Sequence, residues 1–590
     1  MMIQYYQEDY TMDKHAISLI GPLLSTCIIT AYASTPLLTD LPLQNSVSVH
    51  GITWTFNKNV RVGKFVNGDF YVVGACTVIA VNPAPTVSPA RNGSVLNIPP
   101  EDQGTGFDDR SANYRPNIRK YPPIGMAPGD ALVSTISISD SARSVIRAWL
   151  STGNGTESIC KTAGVLTCVA APVPTDAFRP SYCDRGQKIY CADSIRWSAL
   201  PHLKRVSSMT AAKLHEWSWH FLSSPWLDAC FFGFDAPLDY MPHYSAETGR
   251  AVGIAAQFLI CDFTQAEKDS LMKGMVQYGI DLWGIVRGCN ASRGWQAHGG
   301  HGTGRKLPMI FSGIVLGDTA MAAPTKTYPN LRIGEDMQTS YGFCWATNDS
   351  NYVYTGHQGL WNGQPVNTQP GWGPYEHLPP SQWYCCEPGY TAPLGEAYRR
   401  CCTSHAWIGE ALAARLMNVI DLWDHPAFFG YCDRWMTQTH EDSAEIVAIK
   451  AAKGWDFSPD WERQGASWDA ITNDMWKTYR YSAIVKRPAD IVAKTNGEFR
   501  MNIAGSSRVG GSRGLTIDFS VAYPANLRMA LYDLSGREIL ELKNGRVAAG
   551  NHTTTWNGKD KNGNSARSGS YRIVAFVKGL RVAKKIAVIR

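Results

Sequence analysis

Gln265–Arg287 reads QAEKDSLMKGMVQYGIDLWGIVR. Its apolar residues Leu271, Met275, Tyr278, Leu282 and Ile285 recur at spacings of 4, 3, 4 and 3, the period that lines one face of an α-helix. Related stretches lie on both sides. Ser194–Lys204, Ala211–Leu222 and Glu247–Cys261 precede it, and Gly304–Leu316, Gly395–Met417, Pro426–Met436 and Trp468–Tyr479 follow it. Helices in series joined by long aromatic loops predict a central helical region over 146–485. Hairpins of such helices set around an axis would form an α/α toroid, with the loops of one rim carrying the site.

Towards the N-terminus the period changes from helical to two. Ser46–Phe56, SVSVHGITWTF, alternates polar and apolar residues, and FYVVG (70–74) and TVIAV (77–81) follow between Gly, Pro and Asn clusters. Residues 44–145 are therefore expected to form an antiparallel β module. Further out, from Met12, the chain reads MDKHAISLIGPLLSTCIITAYAS. Lys14 and His15 form a short basic region, Ile17 to Ile29 is mostly apolar, and Ala31-Tyr32-Ala33 matches a small-residue cleavage site. This predicts a signal peptide over 1–33, with translation starting at Met1 or Met12. The apolar run is short for a membrane span and Pro22 interrupts it. A secreted or cell-surface protein is expected. Cys27 lies in the signal peptide, which leaves 14 of the 15 cysteines; export makes disulfides reasonable among them, and Cys160/Cys168 and Cys183/Cys191 are close enough in sequence to close small loops.

Past the helical region, 486–513 is rich in Gly and Ser (IAGSSRVGGSRG) and reads as a linker. Residues 514–590 return to short strands. The stretches YDLSG (532–536), AGNHTTTWNGKDKNGN (549–564) and SGSYR (568–572) resemble the Ig-like domain of the flagellar-hook-cap type, used as a sorting tail by type IX secreted bacterial proteins. The resemblance implies a β-sandwich without chemistry of its own, a bacterial source, and a secretion machinery as its partner.

The charge balance narrows the function. Lys+Arg 56 against Asp+Glu 50 gives a net charge of +6. Spread over 590 residues, so small an excess does not suggest a nucleic-acid binder. With 44% hydrophobic and 18% charged residues the chain is too apolar for a disordered protein. Trp 20 and Tyr 26 supply the aromatic planes that sugar rings stack on, though aromatic residues also fill cores.

Reactive side chains concentrate where loops enter helices, and the free N–H groups of a helix's first turn attract anions there. The first junction, DYMPHYSAE (239–247), holds His243 and Tyr244. The second, NASRGWQAHGGHGTGRK (290–306), holds Asn290, Trp295, His298, His301 and Arg305, with glycines that allow a ligand close to the backbone. The third is Tyr398-Arg399-Arg400, and Tyr341 lies between the second and third.

Such a set suits β-elimination from a uronic acid. The C5 proton becomes acidic once the neighbouring carboxylate is neutralised by Asn, Arg or protonated His. A His or Tyr then removes it, and a Tyr protonates the leaving oxygen. No metal and no cofactor are required. A β module joined to a helical region with His, Tyr, Arg and Asn in its rim loops is similar to the α/α-toroid polysaccharide lyases of the alginate, glucuronan, chondroitin and heparinase types. The resemblance implies that Tyr244 or Tyr341, His298 or His301, and Asn290 or Arg305 share one cleft. His243 is a further catalytic candidate, and Trp295, Tyr398, Arg399 and Arg400 are candidates for holding an anionic polysaccharide. The order of domains departs from the chondroitin-lyase pattern, where the large β domain follows the toroid. Two other readings fit the same chain. One is an inverting glycoside hydrolase using two carboxylates from Asp239, Glu335, Asp336, Glu376 and Glu387. The other is a surface glycan-binding protein without catalysis.

Overall fold

The computed structural model of the protein describes residues 34–99, 105–111, 114–143, 145, 149–150, 159–228, 236–242, 244–288, 294–295, 300–344, 349–355, 360–361, 364–365, 403–437, 465–481, and 499–588 apart from 505–507, 510–514, 522–524, 534–536, 549 and 578–579. The segment 1–33 read as a signal peptide lies outside them.

The alternating stretch Ser46–Phe56 forms a hairpin. β1 (Leu43–Val49) and β2 (Ile52–Lys64) pair antiparallel with Val49 opposite Ile52. The two turn residues, His50 and Gly51, both have positive φ, 52° and 77°, as a two-residue hairpin of right-handed twist requires. Val47, Ile52, Trp54 and Phe56 point into a core. With β3 (Phe70–Val73), β4 (Cys76–Asn82), β5 (Ser94–Leu96), β6 (Arg119–Lys120), β7 (Ile124–Met126), β8 (Ala131–Ser137) and β9 (Cys160–Val169), this hairpin completes a nine-stranded sheet. The order is β6-β5-β8-β9-β3-β2-β4-β7, with β1 on β2. Only the β9–β3 pair in this sheet is parallel.

β9 lies beyond residue 145, so the sheet reaches past the boundary expected from the sequence. The reason is burial on both faces. Ala131, Val133, Ala163 and Val165 pack into the core shared with the helices, while Leu132, Leu166 and Cys168 pack into the core on the opposite face. Strands buried on both sides are near-continuous apolar runs and lose the period-two signal. One core thus joins the sheet to the helical middle.

That middle contains α1 (Ala211–Leu222), α2 (Ser245–Leu259), α3 (Gln265–Gly288), α4 (Lys306–Leu316), α5 (His405–Leu416), α6 (Pro426–Thr437) and α7 (Ala470–Tyr479). α1 packs on α3, α3 on α4, and α2 on α5. Ser194–Lys204, expected as a helix, holds only short 3-10 turns at Ala192–Ser194 and Trp197–Ala199. Pro201 bars the residue before it from helical geometry, and Leu200 is indeed extended. Among the described residues no helix is long and apolar enough to cross a membrane.

The C-terminal part has two sheets of its own. Phe499–Ala504, Leu515–Val521 and Gly550–Trp556 form one, and Arg508–Val509, Leu580–Val588, Gly569–Val577, Ala525–Tyr532 and Glu538–Val547 the other. They enclose a separate core that includes Ile517, Phe519, Leu527, Met529, Trp556 and Ile573. Phe499–Ala504 pairs with Leu515–Val521, Phe499 opposite Val521. The domain therefore includes Phe499–Ala504, ahead of the boundary expected at 514, and part of the expected linker is an edge strand. The architecture is a β-rich N-terminal part, a helical middle and a C-terminal β domain.

The expected disulfides are absent among the described cysteines. Cys160 and Cys168 stand at opposite ends of β9, separated by eight residues of extended chain, about 26 Å. Burial pushes the Cys168 thiol up to about 12 and the Cys76 thiol up to about 11, so both are protonated. The vicinal pairs Cys385-Cys386 and Cys401-Cys402 lie outside the described residues.

Candidate functional site

Three chain segments meet at the N-terminal ends of α2 and α4. α2 and α5 approach closely because glycines face each other. A Cβ at Gly253 would lie 2.7 Å from the Glu410 nitrogen and the Gly409 carbonyl carbon. One turn earlier, a Cβ at Gly249 would lie 2.5 Å from Thr303 Cγ2 and 2.8 Å from Glu410 Oε1. The loop 300–305 is pressed against this crossing, with Gly304 at φ 93°. A Cβ on Gly334 would lie 2.8 Å from the Gly302 carbonyl carbon, which brings the short helix Gly334–Gln338 alongside.

Beneath that surface the junction is densely charged. Lys306, Glu335 and Glu410 are fully buried, and Asp228 and Arg305 almost so. Arg305 donates to Asp228 Oδ1 at 2.5 Å, and its other arm donates to the Thr303 carbonyl and, at 3.5 Å, to that of His301. Tyr278 donates its hydroxyl to Asp228. Lys306 pairs with Asp336, which also accepts from Trp423 Nε1 at 2.8 Å. Glu335 Oε1 accepts from the Gly304 N–H at 2.6 Å. Two cations at the start of α4 oppose the helix dipole, and the surrounding carboxyl groups offset them.

Four carboxyl groups (Asp228, Glu335, Asp336 and Glu410) face the two cations Arg305 and Lys306. Glu335 and Glu410 lessen the imbalance because both are pushed above the usual carboxylate range. Burial raises both, the repulsion between them raises Glu410 further, and Arg305 opposes the rise in each. With both ionised, neither oxygen of Glu410 nor Oε2 of Glu335 would have a hydrogen-bond donor. A proton held between the two carboxyl groups supplies that missing donor.

Above this network sit Tyr244 and His301, both half-buried. Tyr244 is the N-cap of α2. Its ring meets the His301 imidazole edge-on with centroids 4.9 Å apart, and its hydroxyl accepts from the Gly300 N–H at 3.1 Å. Two of the side chains expected to act together are therefore adjacent. Arg305 and Trp295 belong to the layer below. Arg305 is 1% exposed and Trp295 2%, and Trp295 donates to the Asp228 carbonyl at 3.2 Å. In this structure neither faces solvent. Arg305 holds the 301–303 backbone, and Trp295, paired with Ile333, holds the strand that leads into Glu335.

Tyr341 lies in the strand Thr339–Cys344, opposite Val353. His243, Asn290, His298, Tyr398, Arg399, Arg400, Glu376 and Glu387 lie outside the described residues. His405 is buried, stacked on Trp468 at 5.2 Å and meeting Trp435 edge-on at 5.1 Å, which is a packing role. Asp228, Tyr278, Lys306 and Glu410 were not anticipated as members of the network. A signal existed for two of them: Glu410 interrupts the apolar stretch HAWIGEALAARL, and Asp228 sits in PWLDAC. A lone acid in an apolar run points to a buried partner.

Residues 505–578 match the FlgD Ig-like domain. Among solved structures, FlgD from P. aeruginosa is 22% identical, with 16% of this chain and 75% of that chain covered and a TM-score of 0.12. The alkylpurine DNA glycosylase AlkC of Pseudomonas fluorescens, bound to DNA containing an abasic site analog, is 11% identical, with 65% of this chain and 98% of that chain covered and a TM-score of 0.14. TM-scores this low carry no argument about fold or activity. None of the curated proteins matches. The family model covers the tail alone: the chain carries a C-terminal FlgD Ig-like domain.

Proposed function

We propose that the chain is a secreted or cell-surface bacterial carbohydrate-active enzyme, a polysaccharide lyase that cleaves a uronic-acid-containing glycan by β-elimination. In this reading the helical middle is an α/α toroid, and the FlgD Ig-like domain delivers the protein to its secretion machinery. The observation that carries the proposal is the contact between Tyr244 and His301 at the start of α2. His301 takes the C5 proton and Tyr244 gives one to the departing glycosidic oxygen, so the bond from that oxygen to C4 breaks as the C4=C5 double bond forms. The substrate carboxylate lies toward the positive end of α2. The buried carboxyl pair and Arg305 hold the loop beneath and do not touch substrate.

The two-carboxylate hydrolase draws less support. That chemistry needs carboxyl groups about 6.5–9.5 Å apart with water between them, whereas Glu335 is buried against Glu410 and Asp336 is engaged by Lys306 and Trp423. The test is a screen of uronate-containing and neutral polysaccharides with the purified full chain, following ultraviolet absorbance of the unsaturated product and reducing ends together. Absorbance rising with reducing ends supports the lyase. Reducing ends without absorbance would establish the hydrolase, and binding with neither signal would establish a glycan-binding protein.

A further inference from the structure

A groove of about 490 Å3 opens between the segment 204–207 and the last turns of α7. Lys204, Arg205, Ser207, Asp474, Lys477 and Thr478 are among its lining residues. The volume falls in the range of sites that take small organic ligands, about 300–1,000 Å3. The Leu203 N–H donates to the Ile260 carbonyl at 2.9 Å, which sets the groove at the C-terminal end of α2. Tyr244 and His301 stand at its N-terminal end. α2 has 15 residues, so the two places are about 20 Å apart.

The walls are held in place by contacts of their own. Tyr479 donates its hydroxyl to the Lys204 carbonyl and so ties α7 to the segment. The Arg205 N–H donates to Asp262 Oδ1 at 3.0 Å, and the Arg205 guanidinium lies over the Phe263 ring, 4.5 Å from its centroid.

Charge in the groove is unbalanced. Three cations, Lys204, Arg205 and Lys477, meet one carboxylate, Asp474. Arg205 has a partner beyond the lining, Asp262 at 3.8 Å. Among the described residues neither Lys204 nor Lys477 forms an ion pair. A cation in the last turn of a helix is ordinary, because the helix dipole favours it, and Arg480, just past that turn, is paired with Asp433. Lys477 instead shares a groove with two cations from a separate segment. An anion relieves their repulsion. Inorganic phosphate would fill a small part of the volume and bring its charge close to Asp474. A ring that carries both a carboxylate and hydroxyl groups suits the lining better: the carboxylate accepts from the lysines, and a hydroxyl donates to Asp474.

We infer that this groove is a second binding site for the anionic glycan, taking a uronate residue through Lys204, Lys477 and Asp474 without cleaving it. The choice of a uronate rests on the function proposed above; the demand for an anion that also donates hydroxyl protons rests on the groove alone. The test is calorimetry and ligand-observed NMR on the full chain carrying His301→Ala, so that no ligand is consumed. The ligands are the disaccharides of glucuronate and of galacturonate, their methyl esters, which keep the hydroxyls and lose the charge, and inorganic phosphate. At least one diuronate should bind about tenfold more tightly than its ester, the effect of losing charge-assisted hydrogen bonds. Lys204→Ala combined with Lys477→Ala should weaken that binding about tenfold, whereas binding at the Tyr244–His301 junction stays. Both lysines are exposed, so circular dichroism should show the variant folded. Asp474→Ala should weaken the diuronate and strengthen phosphate, which is freed from a like charge. No binding of either diuronate, esters that bind as well as the acids, or an unchanged titration of the double lysine variant would overturn the assignment. So would phosphate binding as tightly as the diuronate, or Asp474→Ala strengthening both, since either marks a plain anion site. Turnover enters none of these measurements, so failure of the elimination chemistry is told apart from failure of this site.

Discussion

The Gly304 N–H donates to Glu335 Oε1 at 2.6 Å, and through this bond a loop carrying His301 is tied to a carboxyl pair buried beneath it. Because the pair keeps its proton only in the folded chain, its protonation bears directly on the stability of that loop.

Burial first raises both carboxyl groups; the neighbouring charge of Asp336 adds to the rise of Glu335, which reaches about 7, and repulsion from Glu335 adds to that of Glu410. A group raised on folding adds stability in full below its unfolded value. That contribution is lost as pH climbs through the folded value. Urea unfolding of the wild type should therefore show stability falling between the ordinary carboxylate range and somewhat above pH 7, by up to about 1.4 kcal/mol per pH unit for each proton involved. Glu410→Gln, which cannot ionise and still offers a donor to Glu335, should flatten the curve and exceed the wild type at the alkaline end. An identical slope in both proteins would mean that the pair does not titrate in this range.

Tyr244→Phe removes the hydroxyl while keeping the ring against His301, and His301→Ala removes the proposed base. Each should lower turnover on a uronate polysaccharide by about 10²-fold or more. Melting temperatures should stay within a few degrees, since both side chains are only half-buried. Unsaturated-product rates equal to wild type in both variants would remove this junction from the mechanism.

Gly253→Ala sets two effects against each other. Alanine is favoured over glycine inside a helix by about 1 kcal/mol. Here, however, the added Cβ would lie 2.7 Å from backbone atoms of α5 at Gly409 and Glu410, and backbone has little room to yield. Overpacking typically costs about 1–3 kcal/mol. The variant should be destabilised on balance, by about 1–2 kcal/mol in urea. A stabilised variant would show that the crossing is looser than the close approach implies.

The Ig-like domain has its own core, with Ile517, Phe519, Met529 and Trp556 among its members. A chain ending ahead of Phe499 should keep the melting transition of the sheet-and-helix part, and residues 499–590 should fold alone, each followed by circular dichroism. A cut at Arg513 should behave worse in both halves, because it separates Phe499–Ala504 from Leu515–Val521, the strand it pairs with. Failure of 499–590 to fold by itself would show that the tail depends on the rest of the chain.

The sequence alone determined the elements whose period is strong. The 4, 3, 4, 3 spacing in Gln265–Arg287 identified α3, period-two alternation identified the β1–β2 hairpin, and the YDLSG, GKDKNGN and SGSYR stretches identified the Ig-like tail. Each signal is local, because one face of a helix or strand meets water and the other does not. β9 escaped because both of its faces are buried, and the tail's first strand escaped because its partner lies past a Gly-rich stretch. The candidate site shows the same division. Tyr244 and His301 were conspicuous as reactive residues next to helix starts. That their rings touch, that Arg305 faces inward to Asp228, and that Glu335 and Glu410 share a buried position were decided by tertiary structure alone. Those facts follow from the close crossing of α2 and α5 at Gly249 and Gly253, where the absence of side chains lets distant segments meet.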